Sequence, residues 1–202
     1  ISCRSRRKLS ILKKNKIMKI LILVDCQNDF IDGALRNEEA IKKVDRIVNK
    51  IHNDNYERLI LTFDTHFKST YDNTLEGTKL PIQHCIVGTE GWNLNRKIHD
   101  AMCNAKAYPE QVMKETFGSL KLLEVVETMI REHRFIKDET VEIELWGFCT
   151  DICVISNALL LRAKFPNHKI TVDASCCAGS TIERHNAALE VMDSCQIDIK
   201  NS

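Results

Sequence analysis

Three residues of this chain have side chains that could cooperate in nucleophilic chemistry: Asp25, Lys114 and Cys153. A carboxylate beside a thiol can take its proton, and an ammonium beside both stabilises the thiolate and orients the carboxylate. Taken singly, each has a plainer reading: Asp25 as a turn residue, Lys114 as a solvated charge, Cys153 as a core thiol. A second group is Asp64-Thr65-His66 with the more distant His84. Residues two apart in a strand point to the same side, so Asp64 and His66 could address one ion. A carboxylate with two imidazoles suits zinc, iron or manganese, with water positions left open.

The elements that must position these groups are legible as an alternation of strands and helices. Ile20 to Val24 is a continuous apolar run that ends in Asp25, and Leu59 to Phe63 is another that ends in Asp64. Both read as strands buried on two faces. Between them, Ile41, Val44, Ile47, Val48 and Ile51 recur at helical spacing across residues 38–53. Residues 111–114 form a short strand ending in Lys114, and residues 120–133 an amphipathic helix. Residues 141–146 alternate apolar and charged side chains, then Gly147 and the Thr150-Asp151 pair mark a turn into an apolar helix over 154–163. With Thr150 or Asp151 as N-cap, Cys153 falls in the first helical turn. There, unpaired N–H groups and the helix dipole favour a thiolate, and the same N–H groups can hold an oxyanion. A strand at 169–173, a helix at 181–193 and a strand at 196–199 follow. The alternation predicts a single-domain α/β fold, a mostly parallel, doubly wound sheet of about six strands with helices on both faces. Ligands of such sheets collect beyond the carboxyl ends of the strands, where Asp25, Asp64, Lys114 and the Cys153 turn all lie.

Composition narrows the function classes. The chain has 202 residues, 28% of them charged and 44% hydrophobic, with a net charge of +1. That balance gives no reason to expect nucleic acid or membrane partners, and no apolar run approaches the roughly 20 residues of a membrane span. Nine cysteines, an odd number at scattered positions, argue for a reducing cytoplasmic setting over a disulfide scaffold. Residues 1–17 stand apart as a basic, acid-free leader carrying Arg4, Arg6, Arg7, Lys8, Lys13, Lys14 and Lys16, and the folded domain is expected over 18–202.

Three segments carry a resemblance: Val24-Asp25-Cys26-Gln27-Asn28-Asp29-Phe30, Lys114-Glu115-Thr116-Phe117, and Gly147-Phe148-Cys149-Thr150-Asp151-Ile152-Cys153-Val154. They resemble the signature segments of the isochorismatase-like cysteine hydrolases, a superfamily that includes the nicotinamidases. By that resemblance Asp25 is the general base, Lys114 its electrostatic partner and Cys153 the nucleophile. The resemblance also implies a cis peptide before Cys149 and an oxyanion hole formed by the backbone N–H groups of Cys149 and Cys153. It implies that Asp64, His66 and His84 hold a divalent transition metal (zinc, with iron or manganese as alternatives) that anchors a pyridine nitrogen. Glu76 is the candidate for an added carboxylate ligand, and Phe30 for an aromatic wall of the pocket.

The expectation is therefore a cysteine-dependent amidohydrolase converting nicotinamide to nicotinate and ammonia through a thioester. Family analogy adds a homodimer or tetramer. The rivals are hydrolysis of another small amide, ureido or carbamoyl compound by the same triad, and a noncatalytic binding member of the family. Vinyl-ether cleavage, the isochorismatase reaction proper, needs no cysteine. Leu80 stands before Pro81 where nicotinamidases often carry an aromatic residue, and an extra residue separates Pro81 from His84. These departures bear on how a ring is gripped and leave the acyl chemistry untouched.

Overall fold

The structure, a computed structural model, describes residues 17–105, 107–136 and 140–202. The leader expected over residues 1–17 lies outside them except for Ile17, which opens the first strand one residue earlier than expected. Six strands form one sheet: β1 (Ile17–Val24), β2 (Arg58–Asp64), β3 (Pro109–Lys114), β4 (Thr140–Phe148), β5 (Lys169–Ala178) and β6 (Asp198–Lys200). Their order is β3-β2-β1-β4-β5-β6, and every neighbouring pair is parallel. The order reverses between β1 and β4, which opens a crevice at their carboxyl ends.

Helices cover both faces. α1 (Glu38–Asn53) and α3 (Arg96–Cys103) pack with Leu21, Leu23, Leu59, Leu61 and Trp146 on one side. α4 (Leu120–Ile136), α5 (Ile155–Lys164) and α6 (Ile182–Ser194) pack with Ile20, Ile22, Ile60, Ile143 and Val172 on the other. Each central strand therefore sends alternate apolar residues to opposite cores, which explains why β1 reads as unbroken hydrocarbon. A five-residue helix, α2 (Leu75–Lys79), interrupts the long connection after β2. α1 starts cleanly because the Asn37 side chain accepts from the N–H groups of Glu39 and Ala40 at 3.0 and 3.1 Å. A cap of this kind contributes about 1 kcal/mol.

The two strands at the crevice approach closely. Gly147 has φ +136°, and a Cβ there would lie 2.0 Å from the Val24 carbonyl oxygen. Only glycine fits, and the β4–β5 register shifts between Leu145 and Gly147. Immediately after β1, Asp25 takes φ +49°. Asp tolerates that left-handed conformation better than most residues.

Candidate active site

The crevice brings Asp25, Lys114 and Cys153 together from β1, β3 and the turn after β4. The Lys114 Nζ lies 2.7 Å from Asp25 Oδ2 and 3.5 Å from the Cys153 Sγ. The other Asp25 oxygen accepts the Thr62 hydroxyl at 2.6 Å. All three residues are buried, with Asp25 at 0%, Lys114 at 5% and Cys153 at 4% exposure. Burial by itself would lower the Lys114 pKa, but the facing Asp25, Cys153 and Asp64 reverse this and hold it well up, so the ammonium persists. Burial raises the Asp25 carboxyl above its usual range, with Lys114 opposing and Asp64 adding to the shift.

The thiol differs from the expectation drawn from a helix N-terminus. Burial, with Asp25 and Asp64 nearby, pushes the Cys153 thiol well above its ordinary pKa despite Lys114, and it hydrogen-bonds Asp25. Burial therefore favours the thiol form of Cys153, and Lys114 opposes it. Nor does it sit in an α-helical first turn: residues 150–154 form a π-turn, and α5 begins only at Ile155. Cys149 occupies the N-cap position, and neither Thr150 nor Asp151 caps the helix. Asp151 instead accepts from the Ser180 N–H and hydroxyl at 2.7 and 2.6 Å, and Thr150 Oγ1 meets His185 Nδ1 at 2.8 Å. His185 thus helps fasten the nucleophile turn to α6. The Phe148–Cys149 peptide is cis.

Beside the triad, one ligand atom each from Asp64, His66, Glu76 and His84 falls within a 4.8 Å cluster. His66 Nε2 is 3.0 Å and His84 Nε2 3.4 Å from Asp64 Oδ2, and Glu76 lies 3.7 and 3.5 Å from the same two nitrogens. The donor set fits a cation in detail. His84 Nδ1 faces the Ile82 carbonyl at 2.9 Å, which can only accept, so Nδ1 carries a proton and Nε2 is the nitrogen that a cation would take in place of a proton. Burial pushes the Asp64 carboxyl up, but hydrogen bonds from His66 and His84, with Lys114, hold it below the usual range. Burial lowers His84, yet Asp64 and Glu76 outweigh this and lift it to about 10. Two carboxylates against two imidazoles thus create a demand for positive charge that a divalent ion meets. Phe30 stands edge-on to His84 with ring centroids 5.6 Å apart.

Cys153, Cys149, the four clustered residues and Phe30 line one cleft of about 1180 Å³. The cleft lies at the switch point, as the sheet order requires.

The Isochorismatase domain profile matches residues 19–200. The chain belongs to the isochorismatase family. Among its relatives is the uncharacterized isochorismatase family protein PncA of Bacillus subtilis (strain 168), 29% identical over 182 residues, which span 85% of this chain and 92% of that protein. Among solved structures, the nicotinamidase/pyrazinamidase PncA of Bacillus subtilis superposes with a TM-score of 0.68 at 26% identity, covering 90% of this chain and 98% of that one. The pyrazinamidase/nicotinamidase of Streptococcus mutans UA159 gives a TM-score of 0.71 at 26% identity, covering 90% and 99%.

Two buried amides of this isochorismatase-family chain escaped the sequence reading. Gln27 Nε2 donates to the Asp64 carbonyl and its Oε1 accepts the Asp64 N–H, at 2.9 and 2.8 Å, so one side chain pins the backbone of a cluster residue. Asn157 donates to the carbonyls of Cys153 and Phe117 and accepts from the Ser119 N–H. It joins the nucleophile turn to the loop that follows Lys114. Gln27 stood inside a quoted motif, and Asn157 was a polar residue in an apolar helix. That mismatch was the available signal. Cys26, Cys85, Cys176 and Cys177 are buried and free, as packing thiols should be.

Proposed function

We propose that this protein is a nicotinamidase-like amidohydrolase acting through Cys153. The observation that carries the reading is a single buried ammonium touching both a carboxylate, at 2.7 Å, and a thiol, at 3.5 Å, beside a ligand cleft. Asp25 takes the thiol proton as Sγ attacks the carboxamide carbon, and the oxyanion forms near the N–H groups of Cys149 and Cys153. Asp25 returns the proton to the departing nitrogen, the C–N bond breaks and ammonia leaves a thioester. Water then attacks the acyl carbon while giving a proton to Asp25, the C–S bond breaks to release the carboxylic acid, and Asp25 passes that proton to the departing sulfur, which restores both thiol and carboxylate. A raised carboxyl pKa suits Asp25 to this exchange, because base and acid forms both lie within reach. Lys114 stabilises the negative charge as it moves between oxygen and sulfur.

Asp64, His66, His84 and Glu76 would hold a divalent transition metal, zinc first among the candidates on donor type. When bound, such a cation supplies a Lewis-acid anchor for a substrate heteroatom such as the pyridine nitrogen. The reading includes a cytoplasmic location, supported by the eight free thiols among the described residues, and a homodimer or tetramer, to be checked by light scattering. Among those residues no helix is long and apolar enough to cross a membrane.

The test is ammonia release from nicotinamide by the metal-loaded protein. Cys153→Ala should abolish it while leaving the circular dichroism spectrum and melting temperature intact. Turnover retained in that variant ends the covalent mechanism. A panel of other small amides run alongside separates nicotinamide from the rival substrates of the same triad.

A further inference from the structure

We propose that the cleft carries a subsite for an apolar extension of the acyl group, so that its preferred substrates are uncharged carboxamides longer than a single ring. This rests on the reading of Cys153 as an amide-hydrolysing nucleophile. Four large apolar side chains line the same cleft as the thiol yet stand open to solvent: Phe67 at 47%, Leu75 at 76%, Phe117 at 46% and Ile182 at 59% exposure. They come from four separate segments, the loop after β2, α2, the loop after β3 and the first residue of α6. A single exposed apolar residue is ordinary, but several converging on one cleft mark a binding surface.

Size and charge point to the occupant. The cleft, at about 1180 Å³, exceeds the roughly 300–1,000 Å³ that holds drug-sized ligands, so a one-ring amide seated at the thiol leaves most of it unfilled. Outside the metal cluster the charged side chains lining it balance, Arg36, Lys79 and Arg184 against Glu38, Glu39 and Glu115. That balance leaves little net charge to hold a charged tail. A flexible hydrocarbon chain running outward from the amide meets the four apolar side chains and removes them from water.

The test is a homologous series of linear primary amides from butanamide to decanamide, measured in two arms. In the first, calorimetry follows binding to metal-loaded Cys153→Ala protein. In the second, ammonia release is followed with the unmodified enzyme. The expected result is a Kd that falls about fourfold per added methylene over at least three steps, as burial of each methylene requires. Leu75→Asp and Ile182→Asp should each flatten that slope. A flat or rising Kd overturns the subsite, and if nicotinamide is still hydrolysed the catalytic reading stands without it. A falling Kd with no ammonia from any amide keeps the subsite and removes the catalytic reading. A flat series together with a homodimer that Leu75→Asp dissociates assigns the surface to a second copy of the chain, and also overturns the proposal.

Discussion

Replacing Lys114 with methionine tests the electrostatics of the site most directly. The methionine keeps the length of the side chain and removes the charge. In the native structure Nζ lies 2.7 Å from Asp25, 3.5 Å from Asp64 and 3.5 Å from Cys153. Both carboxylates are nearly inaccessible, at 0% and 2% exposure, so water cannot replace the lost partner. Removing one member of a buried ion pair costs about 3–5 kcal/mol. For a domain of this size that corresponds to a fall of about 6–20 °C in melting temperature. Adding Asp25→Asn removes one stranded carboxylate and should return about 2 kcal/mol. The pH dependence has a definite sign. The folded-state pKa of Asp25 is raised above its usual value by burial, and losing Lys114 raises it further. A carboxyl with a raised folded pKa destabilises most when ionised in the folded state. The Lys114→Met deficit should therefore shrink as pH falls from neutrality through that raised pKa toward the unfolded value near about 3.9. Urea unfolding followed by tryptophan fluorescence, at pH 7.5 and 5.5 and equal metal loading, gives all three quantities. A deficit under about 1 kcal/mol at pH 7.5, or no recovery in the double variant, would show that the charges are solvated and that the buried triad does not exist as described.

Other outcomes follow from the same geometry. Asp25→Asn should lower kcat for ammonia release about 10²–10⁴-fold, and steady-state kinetics that leave kcat within a factor of two would remove Asp25 as the base. Because Cys153 is a buried thiol of raised pKa, iodoacetamide at pH 7 should modify the exposed Cys103 and Cys195 well before it, as read by peptide mass spectrometry. Gln27→Leu unpins the Asp64 backbone and should weaken zinc binding about 10–100-fold, measurable by competition with a chromogenic chelator. Stripping the metal should lower the melting temperature, since an ion held at 100 times its Kd stabilises by about 2.7 kcal/mol, and re-addition of zinc should restore it.

Much of this protein was written locally. The apolar runs ending in Asp25 and Asp64, the helical stripe of Ile41, Val44, Ile47 and Ile51, and the alternation of strand and helix follow from side-chain chemistry at short range. Those features placed the reactive residues at strand tips and indicated a parallel sheet. What the sequence could not supply depends on which segments meet. Only the β1–β4 adjacency brings Asp25 beside Cys153, and only the β2–β3 pairing sets Lys114 against Asp64. At Cys153 burial works against the local expectation of a thiolate, because desolvation and the carboxylates of Asp25 and Asp64, brought from other strands, push the thiol pKa up while Lys114 opposes them. The π-turn, the Thr150–His185 contact and the clamps made by Gln27 and Asn157 are likewise products of long-range packing. Hydrophobic periodicity is a property of a segment, whereas desolvation and Coulomb interaction belong to the assembled site and take their values only once the chain has closed around it.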